Sequence, residues 1–281
     1  MLASLSSLAR TAAQTQVGLG AFNVIQLEHA TAITRAAVHA GVPVVLQISQ
    51  NAVKYHGGDL TPIGRATLAV AERAETEVAV HLDHAEDVDL IQRAVDLGFN
   101  SVMYDGSRLP DEENRETTRR VVELCHAAGV DVEAELGEVG GKNGVHDPSA
   151  RTSPADAAQF VADTGVDLLA VAVGSSHAMT TRDARLDVEL IRAIGEAVQV
   201  PLVLHGSSGV SDEGMLQAIA AGMTKINVST HLNQVMTAAV REALAADPAL
   251  VDPRKWMAPA RAAVEAEVQR LLELHAGRAG V

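Results

Sequence analysis

Three histidines stand out by where they fall. His84 lies in Val80-His81-Leu82-Asp83-His84-Ala85, His177 in Val173-Gly174-Ser175-Ser176-His177, and His205 in Leu202-Val203-Leu204-His205-Gly206. Each sits at or just after the polar end of a short apolar run. A catalytic zinc takes three protein ligands and keeps one position open, and imidazole is a favoured ligand. The sequence therefore predicts a Zn²⁺ site held by His84, His177 and His205. Asp83, adjacent to the first of them, has two open readings. It orients a ligand imidazole from behind, or it transfers protons, with partial burial raising its pKa. Glu135 closes Val132-Glu133-Ala134-Glu135-Leu136, where period-two alternation puts Glu133 and Glu135 on one face. If that face points inward, the pair is costly unless a cation answers it. Glu135, nearer the strand end, is the candidate for contact with the metal or a second metal.

Histidines also serve plain structural ends. The chain has 11, and His29, His39, His126 and His275 fall on helical stretches where that reading wins. His81 lies earlier on its apolar run and reads as structural.

The elements that must position these groups alternate along the chain. Strand candidates are Leu19–Asn23, Val44–Ile48, Val78–Leu82, Ser101–Met103, Val130–Glu135, Leu168–Val173, Leu202–Leu204 and Lys225–Val228. Between them run amphipathic segments, among them Glu28–Ala40, Val88–Leu97, Glu113–Ala128, Val188–Ala197 and Thr230–Ala245. Gly41, Gly98, Gly129 and Gly222 follow helical segments, where a left-handed residue ends a helix. Several strands are unbroken apolar runs, as in parallel sheets covered on both faces. Such units in this length predict a TIM (β/α)8 barrel over residues 1–281, with a helical tail at 253–281 packing on the barrel or on a neighbouring subunit. A doubly wound open sheet would gather its ligands at one switch point. Here polar residues end strand after strand (Asn23, Ser49, Asp83, Glu135, His205, Asn227), which favours a closed ring with its site on one rim.

Composition narrows the function. The formal net charge of -14 argues against nucleic acid and anionic membranes as partners, and makes any phosphate site a local one. Hydrophobic residues make up 47% but aromatics only 2%, so aliphatic side chains must fill the core. Cys125, the single cysteine, permits no intrachain disulfide and reads as a small core residue. With no membrane-spanning run or signal core, the expected location is the cytoplasm. Two anion-site candidates follow: Gly206-Ser207-Ser208-Gly209, and Asn227-Val228-Ser229-Thr230, where small residues expose backbone N–H groups ahead of helices. In the seventh and eighth loops of a barrel, phosphate sites recur. Residues 137–153 form a long polar loop of the kind that serves as a lid.

Taken together, Ala21-Phe22-Asn23, His81-Leu82-Asp83-His84, Val132-Glu133-Ala134-Glu135-Leu136-Gly137, Gly174-Ser175-Ser176-His177, Leu204-His205-Gly206-Ser207-Ser208-Gly209 and Lys225-Ile226-Asn227-Val228 resemble the class II zinc-dependent ketose-bisphosphate aldolases. The resemblance runs in order from about Gly18 to Arg261. It implies reversible cleavage of a ketose 1,6-bisphosphate, fructose or tagatose, to dihydroxyacetone phosphate and an aldehyde phosphate. By that likeness His84, His177 and His205 bind zinc, which polarises the ketone. Asp83 exchanges a proton with the aldehyde or C4 oxygen, and Glu135 matches a carboxylate that contacts metal. Gly174, Gly206, Ser208, Asn227 and Thr230 fall where the family holds dihydroxyacetone phosphate, often with Na⁺ or K⁺ nearby. Asn23 and Ser49 match further substrate contacts. Arg261 matches a basic tail position that reaches a neighbour's distal phosphate, in a homodimer or homotetramer; a surface arginine is the other reading. No lysine Schiff base is needed, so Lys225 reads as structural or electrostatic.

The chain departs from the family in places. Lys142-Asn143 follow Gly140-Gly141 where acidic residues are usual, leaving Glu138 or Asp147 as the alternative base. Ala178 replaces a usual glycine, and Ser229 stands where fructose-specific members often carry Asp and tagatose-type members Ala. Two other functions stay in view: a zinc hydrolase on the same barrel, and a non-catalytic subunit.

Overall fold

The computed structural model describes residues 1–136, 151–176 and 179–278. Its centre is a closed barrel of eight parallel strands in sequence order. They are β1 (Leu19–Asn23), β2 (Val44–Ser49), β3 (Val78–Ala85), β4 (Ser101–Tyr104), β5 (Asp131–Leu136), β6 (Leu168–Val171), β7 (Leu202–Leu204) and β8 (Met223–Val228). The barrel predicted from alternating patterns is therefore present. Side chains alternate across each strand, so the wall separates two apolar regions. Outward-facing residues such as Leu46, Val80, Val102, Val132 and Ile226 pack beneath the surrounding helices.

The lumen is divided by height. Its lower half is apolar: Leu19, Ala21, Val45, Ala79, Leu168, Ala170 and Val203 form one buried cluster. A helix not expected from the sequence, α1 (Leu5–Thr15), closes that end by inserting Leu5, Leu8, Ala9 and Ala12 into the same cluster. Ser4 caps its first turn by accepting from Ser7 N, and Ser6 N and Oγ donate to the Asp131 carboxylate at 2.9 and 2.8 Å. Those bonds fix the plug against the start of β5. Two residues further along β1, β2 and β3, and just past β7, the lumen turns polar, with Asn23, Gln47, His81 and His205.

The outer helices are α2 (Leu27–Ala40), α3 (Gln50–Tyr55), α4 (Thr61–Glu72), α5 (Val88–Leu97), α6 (Asp111–Ala127), α7 (Pro154–Thr164), α8 (Val188–Ala197), α9 (Asp212–Ala220), α10 (Thr230–Ala246) and α11 (Pro253–His275). The short α3 was also not expected; Ser49 Oγ caps it by accepting from Ala52 N at 3.1 Å. The tail helix α11 lies outside the barrel against α2 and α10, burying Ala260, Val264, Val268, Leu271 and Leu272. Gly20 on β1 makes the contact possible, because a Cβ there would come within 2.8 Å of Leu272. Cys125 is buried in α6, and burial pushes its thiol up to about 12, consistent with a core residue.

The plug predicts a stability effect. Leu5→Ala empties a fully buried position and should lower unfolding free energy by about 2–5 kcal/mol in urea denaturation. An unchanged midpoint would mean α1 does not seal the barrel.

Candidate active site

Strand β3 delivers two neighbouring side chains to the mouth, which a regular strand cannot do, since adjacent residues face opposite sides. The pairing of β3 with β4 shifts between Leu82 and Ala85, and His84 adopts φ 48°. A left-handed backbone at a non-glycine residue is uncommon and costs about 1–3 kcal/mol. Here it turns His84 to the same opening as Asp83.

His84, Asp83 and His205 then converge. Each offers one ligand atom, and these atoms lie within 4.8 Å of one another; His84, Asp105 and Glu135 form an overlapping set. The His84 and His205 rings meet edge-on, with centroids 4.6 Å apart. His84 Nδ1–H donates to Asp105 Oδ2 at 2.7 Å, and Asp105 Oδ1 accepts from Ser107 Oγ at 2.6 Å. A carboxylate behind one ring nitrogen fixes the tautomer and leaves the other nitrogen for a metal. Imidazoles with carboxylates, largely withdrawn from water, suit a divalent cation of zinc type. His177, Ala178 and the loop residues Glu138, Lys142, Asn143 and Asp147 lie outside the described residues.

Beneath this rim sits a layer of buried charge. Glu133 and Glu135 both point inward, and both are fully buried. His205 Nε2 donates to Glu133 Oε1 at 2.9 Å and Nδ1 to Glu135 Oε2 at 3.0 Å. The Lys225 ammonium lies 2.8 Å from Glu133 Oε2. The cation that inward-facing carboxylates require is thus supplied by Lys225 and His205. Burial alone would lower His205, but its bonds to the two glutamates raise it to about 9. Burial also opposes ionisation of Glu133, yet Lys225 and His205 hold it far below the ordinary carboxylate range. His81 is driven the other way, down to about 3, by burial and then by Lys225. It is neutral beside Ser101 Oγ at 2.9 Å, a structural place for it.

Asp83 is 2% exposed and accepts from two amides, Asn23 Nδ2 at Oδ2 and Asn227 Nδ2 at Oδ1, both at 3.4 Å. Of the two sequence readings of Asp83, the proton-transfer one carried a raised pKa. The structure corrects it: burial does push upward, but His84, then Lys225 and His205, outweigh it and hold the carboxyl below its usual range.

A cavity of about 370 Å³ opens above this layer. Asn23, Ser49, Asp83 and His84 line one part of it, and Gly206, Ser207, Ser208, Asn227, Ser229 and Thr230 another. Gly206 is left-handed at φ 68°, and a Cβ there would meet Ser176 O at 2.6 Å, so only glycine fits beside His205. Ser207 Oγ donates to Asn227 O, tying the two anion-site candidates together. The Ser229 side chain makes no cap bond at the start of α10, which begins at the cavity edge; Ser208 Oγ accepts from His231 N there at 3.2 Å. Gly174, at φ 114°, packs against Arg185 O rather than lining the cavity. The Val228 side chain joins the outer core, and Arg261 is half-buried on α11 away from the cavity wall. Sequence reasoning noted Glu133 and Lys225 without joining them, did not pair Asp105 with His84, and did not single out Gln47. Gln47, Glu133 and Lys225 each lie two residues before a rim residue on their strand, and that spacing is the signal that could have found them.

A closed parallel barrel with imidazoles and carboxylates in coordination range at its mouth defines a TIM-barrel enzyme built to hold a divalent cation. The family model described as "Fructose-bisphosphate aldolase class-II" matches residues 3–280. The fructose-bisphosphate aldolase of Geobacillus stearothermophilus is 39% identical over 270 residues, covering 95% of this chain and 94% of that protein. That of Thermus caldophilus is 39% identical over 301 residues, covering 98% of each. In crystal structure, the YdjI aldolase of Escherichia coli K12 superposes with a TM-score of 0.87 at 32% identity, covering 100% of this chain and 99% of that one. The chain belongs to the class-II fructose-bisphosphate aldolase family. It is an aldolase, a carbon–carbon lyase, and the family is metal-dependent.

Two outcomes follow from the geometry. Asp105→Asn should weaken metal binding about 10–100-fold without unfolding the chain; undiminished affinity would mean Asp105 does not orient His84. At neutral pH, metal-free His205 is an imidazolium, since its pKa is about 9, so ligation requires loss of that proton. Metal affinity should therefore rise with pH up to about 9, with proton release seen by calorimetry in buffers of different ionisation enthalpy. Binding without proton release would contradict the assignment.

Proposed function

We propose that the chain reversibly cleaves fructose 1,6-bisphosphate to dihydroxyacetone phosphate and glyceraldehyde 3-phosphate, with Zn²⁺ as the resident metal. The observation that carries this reading is the convergence of Asp83, His84 and His205 at one barrel mouth, in a chain of this family. His84 and His205, with His177, would hold the zinc, and Glu135 stands where it can exchange contact with His205 for contact with the ion. When bound, the ion supplies Lewis-acid polarisation of the substrate ketone.

The remaining work falls to side chains. An ionised Asp83 suits the cleavage direction: it accepts the C4 hydroxyl proton as the carbon–carbon bond breaks, and returns it to the aldehyde oxygen in condensation. Asn23 and Asn227 keep its two oxygens aimed. The Gly206–Ser208 turn and the Ser229–Thr230 start of α10 form the cradle for the dihydroxyacetone phosphate end, with Na⁺ or K⁺ as an accessory. Such local donors accommodate a phosphate despite the net charge of -14. Ser229, at the cavity wall beside Asn227, is positioned to bear on epimer choice. We assign Arg261 to a neighbour's site in a homodimer or homotetramer, and the enzyme to the cytoplasm. Among the described residues no helix is long and apolar enough to cross a membrane.

The test is turnover of fructose 1,6-bisphosphate and tagatose 1,6-bisphosphate, read as triose phosphate formed. Asp83→Ala should lower kcat about 100-fold or more, and His84→Ala should lose both metal and activity. Chelation should abolish turnover, and borohydride with substrate should trap no covalent adduct. Variants matching wild type, release of inorganic phosphate, or covalent trapping would overturn the reading.

A further inference from the structure

Lys225 and Glu133 are buried charges that the aldol reaction does not itself use. Neither lines the cavity, and both are fully withdrawn from solvent. A buried ammonium is expensive unless every proton on it is used. The Lys225 Nζ donates to Asn227 Oδ1 at 2.8 Å and lies 2.8 Å from Glu133 Oε2.

What this does to Asn227 follows from donor chemistry. A carboxamide has an accepting end and a donating end, and either can face a given neighbour. An ammonium has donors only. The oxygen of Asn227 must therefore face Lys225, and its Nδ2 must face Asp83, where it donates to Oδ1 at 3.4 Å. The opposite oxygen of Asp83 is served by a similar pair: Gln47 Nε2 donates to Asn23 Oδ1 at 2.8 Å, and Asn23 Nδ2 donates to Asp83 Oδ2. That second arm begins on a neutral amide, so its polarity is set from the Asp83 end alone; the Lys225 arm is fixed from both ends.

We infer that Lys225 is a positioning residue for proton transfer: acting through Asn227, it fixes the polarity of the amide that aims Asp83, while its other contact, with Glu133, braces His205. Without the ammonium, nothing holds the Asn227 oxygen, and the amide can swing its Nδ2 away from Asp83 Oδ1. Asp83 then loses its orientation although nothing touching substrate has been removed. The signature is a loss in kcat with KM little changed.

The inference rests on Asp83 as the acid/base. It is tested with the metal-loaded enzyme in a Glu133→Gln background, so that removing the ammonium strands no buried carboxylate. Lys225→Met and Asn227→Ala are made singly and together. Lys225→Met should lower kcat about tenfold or more, with KM within about twofold; with Asn227→Ala already present, it should cost less than about twofold further. Equal fold-losses in both backgrounds would overturn the inference, because Lys225 would then act independently of Asn227. So would a change confined to KM. Lys225→Leu, which likewise offers Asn227 no donor, replaces Lys225→Met if the latter does not fold. Failure of both to fold while Asn227→Ala folds assigns Lys225 to stability alone and also overturns it. Asp83→Ala separates the two levels: near-wild-type turnover sinks the acid/base reading, whereas loss of turnover without coupling sinks only the role of Lys225.

Discussion

Two carboxylates inside a closed barrel set the terms for everything above them. Glu133 and Glu135 are carried on the inward face of β5 by simple alternation, fully withdrawn from bulk solvent. Lys225 on β8 and His205 just after β7 answer that charge, and after His84 the same two cations help keep Asp83 ionised at the mouth. The network is thus a structural necessity and a chemical asset together. The His205 imidazole, held by carboxylates at both nitrogens, has its ring plane fixed, and a metal that ligated it would have to displace a proton. Breaking one member leaves the others as uncompensated buried charge.

The barrel makes this affordable by separating tasks along its axis. The lower lumen is aliphatic and sealed by α1, so the polar layer has water on one side only. With so few aromatic residues, that seal depends on close packing of Leu, Val and Ala, which tolerates voids poorly. On the rim, the left-handed backbone at His84 and the glycine at 206 are local irregularities that a rigid wall can hold. They bring adjacent or crowded groups to one opening where regular strands would spread them.

Much of this was legible from the chain. Leu19–Asn23, Val88–Leu97, Val188–Ala197, Leu202–Leu204 and Pro253–His275 fall where periodicity and turn residues place them. The barrel followed from polar residues recurring at strand ends. The pair at 133 and 135 announced its own need for a cation. Other features were hidden for physical reasons. α1 precedes the first strand and opens with serines, so nothing in the alternating rhythm called for it. The extension of β3 to Ala85 depends on a register shift with β4 that no single-strand pattern contains. The direction of the Asp83 shift depends on His84 and then on Lys225 and His205, more than a hundred positions away, whereas burial alone suggested the opposite. Lys225 read as structural or electrostatic, but its partners stayed hidden because Glu133 and Asn227 meet it only when the sheet closes.

The central claim is that His84 and His205, oriented by Asp105 and the buried glutamates, face one divalent ion. Anomalous diffraction at the zinc edge from crystals grown with zinc would test it most directly. The account predicts one strong peak at the barrel mouth, within coordination range of both imidazoles, with the His84 Nδ1 contact to Asp105 retained. A peak elsewhere, or none at full zinc loading, would contradict it.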